Sequence, residues 1–287
     1  MRKRIVAFGL VGGLVAAGAL VLLDRHRPPP PPRGTIAYSA RDFRDVLVAR
    51  ADGSGVRRIT SAPGPQFDPS FSPDGRLIAY RDSRHGINED DEVWVMDRDG
   101  RHARNLTRAH GNDWSPAWSP DGRTIAFAST RSGSLELWTM ASDGSNPRRL
   151  SRSPAEYPSW SPDGSRVAFS LVTAGAVQIA IVGHSGRGER TVTPITENSE
   201  LPAWSPDGSL IAFSRGFEGR RTIWTMKADW TEAHALTEPG SDDVAPAWSP
   251  DGRYIVFARR RRLMIVRADG SGARSLGLAG SLPAWTR

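Results

Sequence analysis

The chain has 287 residues, no cysteine and a formal net charge of +7, from 38 basic and 31 acidic side chains. That length buries a core without covalent staples, which excludes a disulfide scaffold. The missing thiolates exclude cysteine-ligated zinc, iron–sulfur clusters, a cysteine nucleophile and a lipidated N-terminal cysteine.

Much of the charge sits at the front, where Arg2, Lys3, Arg4, Arg25, Arg27 and Arg33 face only Asp24. The remaining 32 basic and 30 acidic residues nearly balance, and with no basic stripe beyond Arg259 to Arg262, which reads as a hairpin loop, they give no nucleic-acid surface. After a basic N-terminus at 1–4, residues 5–23 form an uninterrupted apolar and glycine run. As a helix it would extend roughly 28 Å, the thickness of a hydrocarbon core. The run predicts one transmembrane signal-anchor. A cleaved signal peptide is the alternative, but its small-residue site, Ala17-Gly18-Ala19, lies inside the run. Residues 24–33 read as a proline-rich linker, with Pro28 to Pro32 forming a stiff polyproline II spacer. The expected placement is a single-pass protein with its bulk outside the cytoplasmic membrane, or a secreted or periplasmic one after cleavage.

From residue 34 onward short strands recur. A second-strand pattern occurs at Ile36–Tyr38, Ile78–Tyr80, Ile125–Phe127, Val167–Phe169, Ile211–Phe213 and Ile255–Phe257. Ser-Pro-Asp-Gly precedes five of these, with prolines at 73, 120, 162, 206 and 250, and each residue suits its place in a type I turn. An inner-strand pattern, Pro-x-Trp/Phe, occurs at Pro69, Pro116, Pro158, Pro202, Pro246 and Pro283. A period in the forties, built of β-branched and aromatic runs broken by turns, is the sign of propeller blades. The chain starts at a second strand and stops at an inner one, so the two ends are expected to share a blade. The expected fold is all-β, a six-bladed propeller over 34–287 with four-stranded antiparallel blades, preceded by the transmembrane helix.

The repeated Trp-Ser-Pro-Asp-Gly-x-x-Ile-Ala-Phe, followed by Asp-Gly and Arg-x-Leu-Thr/Ser, resembles the WD40-like (PD40) repeat of the TolB-type β-propellers. The resemblance covers 34–287, with the anchor and proline rod standing where the family's α/β domain would be. It implies an extracytoplasmic propeller that binds another protein, an envelope or secreted one.

The Ser-Pro-Asp-Gly rim consists of repeated turns, so Asp74, Asp121, Asp163, Asp207 and Asp251 read as turn formers. The opposite rim carries variable loops, the usual place for binding. Near the inner-strand prolines lie Asp68, Asp113, Glu156, Glu200 and Asp243, which are expected to form an acidic ring at one channel mouth. Such a ring draws a cationic ligand or peptide. Trp114, beside that mouth, is the best single contact residue. Trp230 replaces a turn glycine and is expected to be exposed. The acidic run from Asn88 to Glu92 lacks the spacing of a calcium loop and reads as solvated.

No Gly-x-Ser-x-Gly occurs, and Gly183-His184-Ser185-Gly186 only approaches it. The six histidines are scattered, although His85 and His110 fall on the variable rim. No catalytic residue, metal ligand or cofactor is assigned. The expected function is a monomeric, non-catalytic interaction scaffold held to the membrane by its N-terminal helix. The alternative is a propeller hydrolase or lyase acting on envelope or extracellular carbohydrate or peptide.

Overall fold

Runs such as Thr124–Ser129, with small alanines alternating against Ile125 and Phe127, form strands because large side chains on one face pack against one neighbouring sheet and small ones admit the next. The structure, a computed structural model, describes residues 31–84, 86 and 90–286. The expected anchor at 5–23, and all of the linker before Pro31, lie outside the described residues.

The described residues open with β1 (Thr35–Ala40), β2 (Val46–Arg50) and β3 (Arg57–Arg58). There follow β4 (Gln66–Phe71), β5 (Leu77–Asp82), β6 (Glu92–Asp97) and β7 (Arg104–Asn105) in one sheet. The next holds β8 (Asp113–Trp118), β9 (Thr124–Ser129), β10 (Glu136–Ala141) and β11 (Arg148–Ser151). Another holds β12 (Ala155–Trp160), β13 (Arg166–Thr173), β14 (Ala176–Gly183) and β15 (Arg190–Thr191). Then come β16 (Ser199–Trp204), β17 (Leu210–Arg215), β18 (Thr222–Lys227) and β19 (His234–Ala235). Last are β20 (Asp243–Trp248), β21 (Tyr254–Arg259), β22 (Arg262–Arg267) and the long β23 (Arg274–Thr286).

The expectation of six four-stranded blades behind a helix is corrected here. Among the described residues hydrogen bonding gives four discrete four-stranded blades, and the other seven strands form one sheet in the order β20-β21-β22-β23-β1-β2-β3. No helix occurs among the described residues, and none there is long and apolar enough to cross a membrane. The cause of the merger is β23, a single 13-residue strand. Its first half pairs with β22 (Met264 with Ser275), and its second half pairs with β1 (Ile36 with Trp285, Ala37 with Ala284). In the sequence these halves carried two different repeat signals, and only the continuous ladder shows that one strand serves both.

The Ser-Pro-Asp-Gly turns close as their residue types require. The Ser119 hydroxyl donates to Asp121 Oδ1 at 2.6 Å, the Arg123 amide donates to the same oxygen at 3.0 Å, and the Gly122 amide donates to the Ser119 carbonyl at 2.9 Å. Those bonds hold the Asp74, Asp121 and Asp207 carboxyls below the usual range, and Asp163 is lowered to about 2. The core lies between sheets: Ala79, Val93 and Val95 meet Trp118, Ile125 and Phe127, and Ala212 and Ile223 meet Trp248, Ile255 and Phe257. Phe127, Phe169, Phe213 and Phe257 are fully buried, each contributing about 2–3 kcal/mol of apolar burial. Trp230 departs from its expected exposure. It is half-buried, edge-on to Trp204 with ring centroids 5.9 Å apart.

Candidate functional site

Each inner strand carries a proline, which cannot donate to the ladder, and the strand yields there by bulging. Pairing steps from Phe67 with Arg81 to Ser70 with Ala79, and from Trp114 with Ala128 to Ala117 with Ala126. The residue before each proline is left-handed: Asp68 (φ 55), Ser115 (φ 50), Tyr157 (φ 51), Leu201 (φ 57), Ala245 (φ 56) and Leu282 (φ 49). Six such residues without glycine are uncommon backbone, sustained by the surrounding sheets. Together with the six prolines they line a central cavity of ≈ 320 Å³.

A second cavity, ≈ 600 Å³, opens on the variable-loop rim and shares Asp68, Tyr157, Leu201 and Leu282 with the first. Asp68 therefore stands at the neck between channel and mouth. Its amide donates to Ser39 Oγ at 3.2 Å and its Oδ2 accepts from Ser115 Oγ at 3.4 Å, while Oδ1 is buried with no hydrogen-bond partner. Burial pushes this carboxyl up to about 6, opposed by the Arg81 guanidinium and reinforced by Glu156.

Of the six residues expected at the mouth, four come together. Glu156 and Glu200 sit two positions before their prolines, as does Trp114, and all three are half-buried. Burial raises the Glu156 carboxyl, and a hydrogen bond from the Trp114 side chain and the charge of Arg81 pull it back. Arg81 lies over the Phe67 ring at 4.5 Å and the Trp114 ring at 5.6 Å, and pairs with Asp91. Glu200 accepts from Arg221 Nη1 at 3.1 Å, while Arg221 Nε holds Asp242 at 2.9 Å.

The other two do not join them. Asp113 and Asp243 lie three positions before their prolines, one residue further from the bulge and so on the opposite face of the strand, and both are fully buried. Arg131 Nη2 donates to Asp113 at 2.7 Å, and Arg259 grips Asp243 with two bonds of 2.7 and 2.8 Å. These are internal ion pairs tying an inner strand to its neighbour.

Sequence reasoning missed Arg81 and Tyr157. The available signal was register: the position directly before each repeated proline is the one that faces the channel. In the acidic run, Asn88 and Glu89 lie outside the described residues, as does His85. Asp91 is taken up by Arg81, and Glu92 accepts from Thr107 Oγ1. Among the described residues no group of three or more His, Cys, Asp or Glu side chains is arranged to hold a metal ion.

Residues 45–157 and 152–283 match the family model described as the TolB beta propeller domain. A 54-residue segment is 37% identical to a protein TolB homolog of Chlorobium luteolum, covering 19% of this chain and 12% of that relative. A 40-residue segment is 45% identical to the Tol-Pal system protein TolB of Bordetella pertussis, covering 14% of this chain and 9% of that one. The matched segments thus span only a small part of either relative. In three dimensions the chain is similar to TolB from Acinetobacter baumannii, with a TM-score of 0.76 and 22% identity over 98% of this chain and 74% of that one. That last likeness is one of fold.

Proposed function

The chain belongs to the TolB beta propeller domain family, and from that premise we propose that it is a non-catalytic scaffold, tethered to a membrane by its N-terminal segment, that binds a protein partner outside the cytoplasm. The partner docks on the variable-loop rim, against Trp114, Glu156 and Glu200 around the mouth, with Asp68 at its floor. Asp113 and Asp243 act behind the surface, fixing Arg131 and Arg259 and with them the strands that carry the mouth. One observation carries this reading: the two rims differ in kind. The Ser-Pro-Asp-Gly rim repeats one tight turn, whereas the mouth rim carries loops of unequal length and, among the described residues, two of the three large exposed apolar side chains, Ile195 (62%) and Phe217 (65%). Apolar tips beside an acidic, aromatic mouth are the makings of a contact patch with an anchoring centre.

The test is site-specific photocrosslinking in membranes of the full-length chain, with a photoreactive phenylalanine in place of Phe217 or, as the opposite-rim control, Asp121. The expected result is a discrete adduct from position 217 alone, lost when Glu156→Lys and Glu200→Lys are combined. Equal crosslinking from both rims, or an adduct indifferent to the two charge reversals, would overturn the proposal.

A further inference from the structure

The mouth cavity also holds charges that the protein itself leaves unspent. Most guanidinium groups around this rim have a carboxylate: Arg131 has Asp113, Arg215 has Glu197, Arg221 has Glu200 and Asp242, and Arg259 has Asp243. Two arginines in the cavity wall differ. Arg260 and Arg261 form the two-residue hairpin between β21 and β22, both exposed and both left-handed (φ 47 and 61). Among the described residues neither meets a carboxylate; Arg261 lies over the Phe43 ring at 5.0 Å and donates to the Arg41 carbonyl at 3.2 Å. At the inner end of the same cavity is the opposite case, the Asp68 carboxylate, 7% exposed, whose Oδ1 has no donor. Between the two ends an apolar strip of Phe67, Leu201 and Leu282 runs beside charges already paired within the protein, Arg221 with Glu200 and Asp242, and Arg81 with Asp91. Glu218 stands on the outer wall as well, exposed to solvent.

A buried carboxylate oxygen without a donor calls for a charged hydrogen-bond partner, and a guanidinium pair with no carboxylate at the other end calls for an anion. We infer that the cavity is a receptor for an ω-amino carboxylate, a ligand with a primary ammonium at one end of an alkyl chain and a carboxylate at the other. The ammonium enters first and donates to Asp68 Oδ1, the methylenes pass along Phe67, Leu201 and Leu282, and the carboxylate remains at the rim with Arg260 and Arg261. The ≈ 600 Å³ volume lies within the usual range of small-ligand sites. This site goes beyond protein docking on the rim and stands without it.

Calorimetric titration of the full-length chain tests the assignment with four probes: 6-aminohexanoate, n-hexylamine, hexanoate and calcium chloride. Saturable binding is expected for 6-aminohexanoate with a Kd of about 1 mM or tighter, at least about tenfold weaker binding for hexylamine, and none for hexanoate. Asp68→Asn should weaken both amines by at least about tenfold while its melting temperature holds or rises, which separates a lost site from a lost fold. Replacing both Arg260→Gln and Arg261→Gln should bring 6-aminohexanoate down to the affinity of hexylamine. Hexylamine or hexanoate binding as well as 6-aminohexanoate, undiminished binding to Asp68→Asn, or a response to calcium alone would overturn it.

Discussion

Asp68 shows how one repeat position changes character with its residue. At the corresponding places the chain puts Ser115, Tyr157, Leu201, Ala245 and Leu282, all of which tolerate the channel without a charge. The carboxyl of Asp68 is raised to about 6 because burial disfavours its anion more than Arg81 favours it. The sign of its linkage follows. The folded chain holds this proton more tightly than the unfolded one, so its contribution to stability is greatest below the unfolded value near 4 and falls as pH rises through about 6. Asp68→Asn is expected to be more stable than the native chain at pH 7.5 by about 1–3 kcal/mol, with the gap closing below pH 4. Urea melts at the two pH values check it; equal stability at pH 7.5 would mean that the buried anion is matched by donors in the folded chain.

At the scale of the element, the Asp-Gly turns do more than reverse the chain. Gly100 is left-handed (φ 93), and a Cβ there would fall 2.2 Å from the Ile59 carbonyl oxygen of the preceding sheet. Gly144 stands in the same relation to the Leu106 carbonyl, at 2.6 Å. Sheet therefore docks on sheet through backbone that only glycine leaves room for. Gly133 has a similar φ of 92 but open space around it. Gly100→Ala is expected to cost about 2–4 kcal/mol and Gly133→Ala only about 1 kcal/mol, the difference being the steric contact between sheets. Chemical denaturation of the two variants measures it. The sequence announced these turns but not this second duty, because the oxygen that crowds Gly100 lies 41 positions earlier in the chain. The same holds at the mouth: five carboxylates stand one to three residues before their prolines, and a single step along the strand turns Glu156 and Glu200 away from the face of the buried Asp113 and Asp243.

For the whole molecule, β23 is the decisive strand. It joins β22 to β1, so the beginning and end of the described chain lie in one sheet, and the Trp285 indole donates to the Arg33 carbonyl at 2.9 Å. Removing residues 282–287 would take away Ala284, Trp285 and Thr286, which pair with the first half of β1, and leave that side of the strand an exposed edge. The expected result is a melting temperature lower by roughly 10 °C or more, read by circular dichroism. An unchanged melt would mean that the ring does not rely on this pairing.

The sequence by itself determined that the chain is a β-propeller of the PD40 type. Strand periodicity, turn chemistry and a repeated motif are local properties, and each repeat states them independently. It also located the charge excess, placing most of the +7 at residues 1–33 and leaving the rest of the chain nearly neutral. Only the tertiary structure decided how the strands divide into sheets, since whether one strand serves two neighbours depends on pairing between distant segments. It alone also decided which carboxylates face the channel. Side-chain direction reverses at every residue of a strand and shifts again at a bulge. The excess charge therefore tells nothing about the mouth, where buried Asp68 and exposed Arg260 and Arg261 face one cavity.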